Sequence, residues 1–456
     1  MTPATTPTTR RSFIGTTAGA ASALTVAQSA WAAGSDEIKV GLIGCGGRGS
    51  GAAGQALSTK QSGITLHAVA DAFKEKADGA LSNLRNKAPD KVKVDDSRVF
   101  AGLDAYQKVI DCCDLVILTT PPGFRPYHFE AAVKAKKNIF MEKPVAVDSP
   151  GVRKVLEMAK VADESNLKVV VGLQRRYQNC YIDALKQVKE QGIIGDIVSG
   201  QVYWNGGGIW FRDKQPGMSE LMYQCNNWYH FTWLCGDHIN EQHIHNIDVA
   251  NWFLGGHPVS AQGMGGRMQR VEKKWGQIYD HHYVEYTYEN GVRVNSQCRH
   301  QSGVSNAVRE EFTGTKGKLY LDNGGRCYAN DHKGNTIWKY RPGGGADAPE
   351  AKGKGGNKRL DPDPYQTEHD TLQAAIRNNT PLNNAYYGAE STMTAVMGRM
   401  ATYSGKELKW DEVLNSKVQH MPAIVTAETE APVKPDADGW YPIAIPGKAV
   451  PGVEIV

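Results

Sequence analysis

Ile38-Lys39-Val40-Gly41-Leu42-Ile43 runs directly into Gly44-Cys45-Gly46-Gly47-Arg48-Gly49, and the reading of this stretch decides the fold. The first half is apolar and β-rich, the pattern of a buried strand. A helix-compatible stretch follows at 50–60, then a second strand at 64–70 that ends in Asp71, so the whole is a βαβ unit. Each glycine has a mechanical reason. Gly44 allows the tight turn, Gly46 lets backbone approach a pyrophosphate, and Gly49 lets the helix pack on the strand, with Gly47 and Arg48 as further expected cofactor contacts. Asp71, twenty-two residues beyond Gly49, is placed to accept hydrogen bonds from an adenosine ribose and to repel a 2′-phosphate, which favours NAD over NADP. Lys74 lies close enough to moderate that preference. A glycine turn with no ligand is the plain alternative, and the strand before it and helix after it argue against that.

Outward from this unit the alternation repeats. Helices are expected at 72–85, 104–110, 126–135 and 150–164, with strands at 115–119, 138–141 and 168–172, which calls for a mainly parallel sheet covered on both faces. After Gly172 the rhythm changes. A helix at 177–191 leads to longer alternating strands at 196–204, 279–288, 293–301, 309–313 and 318–321, with hairpin turns such as Glu289-Asn290-Gly291. The expected fold is therefore an α/β Rossmann dinucleotide-binding domain (37–172) followed by an α+β domain (173–421) with a large open, mainly antiparallel sheet. Residues 341–364 read as a long surface loop, and helices at 364–378 and 388–404 close the second domain. The last segment, 422–456, carries six prolines and reads as an extended arm over the domain or over a neighbouring subunit.

Composition narrows the function. The 456 residues are 41% hydrophobic and 22% charged with a formal charge of +4, ordinary for globular domains and without the basic stripe that nucleic acid requires. Thr9-Arg10-Arg11-Ser12-Phe13-Ile14-Gly15, a weakly apolar stretch and Ala30-Trp31-Ala32 read as a twin-arginine signal over 1–33. The stretch is too short and polar to span a bilayer; the plain alternative is an N-terminal tail containing Arg-Arg. That route carries folded proteins, so the cofactor would be bound before export to the periplasm. The eight cysteines show no framework spacing and are expected as buried free thiols.

Met141-Glu142-Lys143-Pro144 lies at the C-terminal end of an expected parallel strand, where open α/β sheets hold ligands. Lys143 would project an ammonium into the cleft. The run Leu118-Thr119-Thr120-Pro121-Pro122, then His128, Ala131, Ala132 and Ala135, then Asn138 to Pro144, resembles the signature of the Gfo/Idh/MocA family (glucose-fructose oxidoreductase, inositol dehydrogenase, rhizopine catabolism). The likeness continues through Gly44 to Gly49, Asp71, His245-Asn246-Ile247-Asp248 and the segment from Glu368-His369 to Trp410, so it spans most of the chain after residue 37. It implies a dinucleotide domain joined to an open-sheet domain, cofactor contacts at Thr120, Pro121, His128, Glu142 and Lys143, and a site where Lys143 and a histidine handle a substrate hydroxyl.

Helix geometry independently selects the histidine. Through 236–252, steps of about 100° place His238, Glu241, His245, Asp248 and Trp252 on one stripe. A carboxylate one turn before His245 would hold its tautomer and make it a positioned base. The family pattern has Asp where this chain has Glu241, so the carboxylate either orients His245 or meets substrate. Asp248 either meets substrate or caps and braces the helix. On a helix His243 cannot join His245 around one ion, and His281-His282 on a strand face opposite ways, so no metal is expected.

Trp204, Asn205, Trp210, Arg212, Trp228, Tyr229, His230 and Trp233 supply aromatic faces with polar groups between them, suited to a polyhydroxylated ring. Arg176, Tyr177 and His300 join Asn205, Arg212, Trp228, Tyr229 and Asp248 as candidate substrate contacts. The reading is an NAD(P)-dependent oxidoreductase acting on a sugar, glycoside or cyclitol hydroxyl. Outside the cytoplasmic membrane no nicotinamide pool is maintained, so the cofactor is expected to be held tightly and regenerated in place. An NAD-dependent glycoside hydrolase working by transient C3 oxidation, elimination, hydration and re-reduction is the alternative, and a binding protein that kept the fold is a third. The open sheet and the arm suggest a homodimer or homotetramer.

Overall fold

The computed structural model describes residues 37–343 and 361–455, one compact unit from Glu37 onward. The twin-arginine segment and most of the glycine-rich loop lie outside the described residues. The first half alternates as the sequence demands: β1 (Ile38–Ile43), α1 (Gly47–Leu57), β2 (Ile64–Asp71), α2 (Lys74–Lys87), β3 (Val99–Ala101) and α3 (Ala105–Cys112). Then come β4 (Leu115–Leu118), α4 (Arg125–Lys134), β5 (Asn138–Met141), α5 (Ser149–Glu164) and β6 (Val169–Val171). These strands form one parallel sheet in the order β3-β2-β1-β4-β5-β6. Chain order reverses at β1, which opens a crevice between the C-terminal ends of β1 and β4.

Period-two alternation sorts the side chains of this sheet. Ile43, Val116, Leu118, Ile139 and Met141 point to one face with Val109, Phe129 and Val152 of α3, α4 and α5. Val40, Leu42, Leu115, Ile117 and Phe140 point to the other with Ala52, Ala56, Leu81 and Leu84 of α1 and α2. Full burial of each large aliphatic side chain contributes about 1.5–3 kcal/mol.

The second half begins with α6 (Asn179–Lys189), β7 (Ile197–Gly206), α7 (Glu220–Asn226), α8 (Thr232–Cys235), α9 (His238–Glu241) and α10 (Ile244–Leu254). The remaining strands are β8 (Pro258–Gly266), β9 (His281–Tyr288), β10 (Arg293–His300), β11 (Ala307–Gly314), β12 (Gly317–Asp322), β13 (Tyr328–Asp331) and β14 (Thr336–Lys339). They are followed by α11 (Pro364–Asn378), α12 (Ala385–Ser404), β15 (Leu408–Lys409) and α13 (Trp410–Leu414). The nine strands order as β14-β13-β12-β11-β7-β10-β9-β8-β15, antiparallel except for the β7–β10 pair. Along β9 and β10 burial alternates residue by residue, so one face packs on helices and the other carries half-exposed Tyr283, Glu285, Asn295 and Gln297.

Several features depart from the expectations. Five strands were not anticipated: the short β3, β13, β14 and β15, and β8, whose strand pattern Pro258 and three glycines in nine residues mask. The late helices do not merely close the second domain: Leu372 and Ile376 of α11 complete the apolar layer over the first sheet, and α12 packs on both α5 and β8. Of the two placements expected for the proline-rich arm, the structure has the one over its own domain, where Met421, Ala431 and Tyr441 pack with Phe231 and Trp233. All eight cysteines are free and all but Cys112 are buried. Among the described residues no helix is long and apolar enough to cross a membrane.

Candidate active site

The glycine turn is built as tightly as its spacing implies. Gly44 has φ +95, and a Cβ there would lie 2.6 Å from the backbone of Thr119 and Thr120, so only glycine fits both the conformation and the approach of β4. A Cβ on Gly49 would lie 2.0 Å from the Gly44 carbonyl oxygen, whereas positions above Gly46 and Gly47 are clear for 4 Å. The amides at the start of α1 are therefore open to a cavity of about 320 Å³, which Asp71, Tyr106, Thr120, Pro121 and His128 also line. An open helix N-terminus, a bare glycine surface and a carboxylate at the end of β2 fit a dinucleotide.

The Asp71 carboxylate is fixed by the backbone N–H groups of Cys45 (2.7 Å) and Phe73 (3.0 Å), and burial raises its pKa. The lysine beside it is not Lys74, whose ammonium turns outward to Asp78 at 2.8 Å. Lys76, half a turn further along α2, lines the cavity with Arg212 instead.

Arg48 and Glu142, both expected at the cofactor, pair with each other at 2.5 Å, tying the glycine turn to the end of β5. Glu142 packs so closely on Gly172 that a Cβ there would meet its carboxylate at 2.6 Å. Arg125 is fully buried and ties the same region together, donating to the carbonyls of Glu142 (3.0 Å) and Thr120 (2.5 Å). His128 stacks on Tyr106 with ring centroids 4.1 Å apart and meets the Thr120 hydroxyl at 3.2 Å. Burial, then Arg125, push its pKa down to about 3, so the ring is neutral.

Lys143 projects from the end of β5 and donates to the Glu241 backbone carbonyl at 2.5 Å and to the Glu241 carboxylate at 3.2 Å. The single helix expected over 236–252 is broken at Gln242-His243 into α9 and α10. The break takes Glu241 off the stripe it was expected to share with His245, and its carboxylate accepts from Lys143 instead. Burial raises the Glu241 pKa against the pull of Lys143. His245 opens α10 and stacks on Trp204 of β7, ring centroids 5.9 Å apart. Burial, then the Lys143 charge, hold its pKa well below the ordinary range, which keeps the imidazole neutral and able to accept a proton.

Residues 38–173 match the family described as the oxidoreductase family with an NAD-binding Rossmann fold, and residues 182–320 match the Gfo/Idh/MocA C-terminal domain. The chain belongs to the Gfo/Idh/MocA family. An inositol 2-dehydrogenase of Saccharopolyspora erythraea is 26% identical over 62% of this chain and 73% of its own length. A 2,7-anhydro-N-acetylneuraminate hydratase of Escherichia coli is 28% identical over 49% of this chain, which spans about half of that relative, 55%. The fold is shared with scyllo-inositol dehydrogenase of Lactobacillus casei, solved with NAD(H) and scyllo-inositol: TM-score 0.59, 20% identity, 82% of this chain and 99% of that one.

Against this Gfo/Idh/MocA frame the remaining candidates divide. Tyr229 and His300 meet at 3.0 Å behind Glu241. Arg212 and Trp228, expected at substrate, line the dinucleotide cavity together with Trp210. Arg176 and Asp248 neutralise each other at 2.9 Å, and Ser391 donates to the same carboxylate, so Asp248 braces α10 against α12. The Tyr177 hydroxyl donates to Asn384 at 2.6 Å. Asn205 is a correction: it pairs in register with Arg299 and Ala307, on the sheet face opposite Trp204, because strand alternation turns successive side chains to opposite sides.

One cluster went unread in the sequence. Asp237, His238 and His282 place ligand-type atoms within 4.8 Å of one another, all buried. His282 therefore matters, although its strand position gave no hint of a partner at Asp237. The carboxylate is already taken up by the Tyr403 hydroxyl (2.5 Å), the Tyr279 amide (3.0 Å) and His238 Nδ1 (2.8 Å). Arg267, Arg270 and Arg399 all lie close enough to feel its charge. Their combined positive field opposes a divalent cation, and the group is an internal ion network.

Proposed function

We propose that the protein oxidises and re-reduces a hydroxyl-bearing carbon of a cyclitol, sugar or glycoside with a dinucleotide that stays bound. The observation that carries this reading is the hydrogen bonding of Lys143, from the first sheet, to Glu241, four residues before His245 in the second half, with His245 near enough to feel the Lys143 charge and a glycine turn open to a dinucleotide. A nicotinamide bound there would accept and return hydride. The chain's own groups handle the proton. Neutral His245 accepts it from the substrate hydroxyl, and the Lys143 ammonium stabilises charge building on that oxygen. Glu241 positions Lys143. Trp204, against which His245 stacks, offers an apolar face to the C–H side of a polyhydroxylated ring.

Tight retention is supported by the cavity wall. Trp210, Arg212 and Trp228 come from the segment after β7 and line the cavity at the glycine turn, so this segment adds aromatic and cationic contacts to a bound dinucleotide. Export through the twin-arginine sequence before 34 is part of the same proposal, as is NAD over NADP, with Lys76 and Arg212 as the groups that would admit NADP. The half-exposed sheet face is the surface we assign to a homodimer or homotetramer.

A redox-neutral hydrolase is the second reading, favoured by a relative named as a hydratase and consistent with the cofactor retention proposed above. Absorbance of the bound nicotinamide after adding myo-inositol, scyllo-inositol or free aldoses tests the oxidoreductase. Nitrophenol release from nitrophenyl glycosides without net absorbance change from reduced cofactor supports the hydrolase. Silence in both, with dinucleotide retained, overturns both in favour of a binding role.

A further inference from the structure

His245, the proposed proton acceptor, stands on a weakly started helix. α10 begins directly after the break at Gln242-His243, and its N-cap, His243, gives the first turn no side-chain cap. A helix end of this kind frays. Two hydrogen bonds hold the turn instead, one on each side of His245. His243 Nε2 meets the Ser296 hydroxyl at 2.7 Å, and Asn246 Nδ2 donates to Glu310 Oε1 at 2.5 Å. A hydroxyl both donates and accepts, so the first bond stands in either tautomer of the His243 ring.

The two anchors share one row of the second sheet. Ser296 of β10 and Glu310 of β11 both pair with Val202 of β7, which runs between them. Period-two alternation puts Trp204 on the same face of β7, one row along. His245 stacks on that indole with ring centroids 5.9 Å apart. Ser296, Glu310, His243 and Asn246 are all buried. Glu310 is itself fixed, because Tyr181 donates to its Oε2 at 2.9 Å and Arg175 pairs with its Oε1. The carboxylate therefore keeps both its place and its compensating charge without help from Asn246.

We infer that Ser296 and Glu310 are positioning residues for His245, a two-point clamp that sets the rotation and height of the first turn of α10 over Trp204. Apolar burial is non-directional and leaves a short turn free to rock. Directional bonds at 243 and 246 remove that freedom on both sides of the imidazole. The inference rests on the oxidoreductase reading above and adds to it two residues that act on substrate only through His245. A cycle that removes a proton from a hydroxyl and later returns it needs the ring in the same place for both steps.

Asn246→Ala removes one anchor and strands no buried charge, since Arg175 and Tyr181 stay on Glu310. Ser296→Ala removes the other. Hydrogen exchange read by mass spectrometry on the dinucleotide-loaded full chain reports the clamp directly. The amides of Asn246 and Ile247 bond the His243 carbonyl at 2.9 and 3.2 Å. They should exchange about tenfold faster in each variant, with exchange in α12 unchanged. With whichever polyol reduces the bound nicotinamide, each variant should lose about tenfold to a hundredfold in kcat and keep KM within about twofold.

Exchange at the wild-type rate in these amides overturns the clamp. Faster exchange with wild-type kcat, or a loss carried by KM alone, overturns its positioning of His245. Should Ser296→Ala fail to fold, Asn246→Ala decides by itself. If the wild type turns over no polyol, the functional reading fails separately, and the exchange rates still judge the clamp.

Discussion

Lys143 and Glu241, 98 residues apart, are joined twice, through the glutamate's backbone carbonyl and through its carboxylate. The double contact fixes the ammonium of the first sheet against the α9–α10 break of the second half. Glu241→Gln keeps the shape and removes the charge. It should retain dinucleotide and lose about tenfold to a hundredfold in kcat, and Glu241→Asp, one methylene short, should lose less. Steady-state kinetics on cofactor-loaded variants checks both.

The glycine turn separates a folding requirement from a binding one. Gly49→Ala drives a Cβ into the Gly44 carbonyl oxygen and should destabilise the chain by about 1–3 kcal/mol, read as a lowered denaturation midpoint. Gly46→Ala meets nothing within 4 Å. It should fold as wild type yet be isolated without dinucleotide, as native mass spectrometry would reveal.

Cofactor choice should turn on Asp71 and Lys76 together. Asp71→Ala removes the carboxylate and leaves Lys76 and Arg212 at that wall, so affinity for NADP relative to NAD should rise about tenfold or more, measured by fluorescence titration of apoprotein. Lys76→Ala should shift it the other way.

Acid should unfold the protein through its buried histidines. Burial pushes His128, His230, His243 and His369 down to about 3, below the unfolded value of about 6.5. The unfolded chain therefore binds more protons between these values. Their contribution is complete above pH about 6.5 and is lost as pH falls toward 3. Chemical denaturation across this window should give a stability slope of more than one proton, and a slope of zero contradicts the burial of these rings.

Retention of cofactor should depend on the wall contributed by the segment after β7. Trp210→Ala or Trp228→Ala should speed loss of dinucleotide during gel filtration without altering the fold, which circular dichroism verifies.

The first sheet was legible because it is buried on both faces: strands such as Leu115–Leu118 are continuous apolar runs, and Gly44 to Gly49 name their turn by spacing alone. Lys143 was legible from its place at a strand end. The role of Glu241 was not, because helical periodicity carried through Gln242-His243 and nothing local signals the break that turns its carboxylate from His245 to Lys143. Arg125, wholly buried, reads in sequence as a surface residue before Pro126, and its carbonyl partners lie on two different strand ends. Asn205 looked like part of an aromatic-polar cluster, and only the register of β7 shows that it faces away. Lys76 was missed for Lys74 because the first turn of α2 sets which of the two points inward.

Lys143 and His245 should act together on one substrate beside a retained dinucleotide. Reduction of the bound nicotinamide, followed by absorbance in a single turnover with the active polyol, distinguishes wild type from Lys143→Met and His245→Ala. All three should hold dinucleotide at full occupancy, and both variants should react about 10²–10⁴-fold more slowly. Reduction at the wild-type rate in either variant would rule out their joint action.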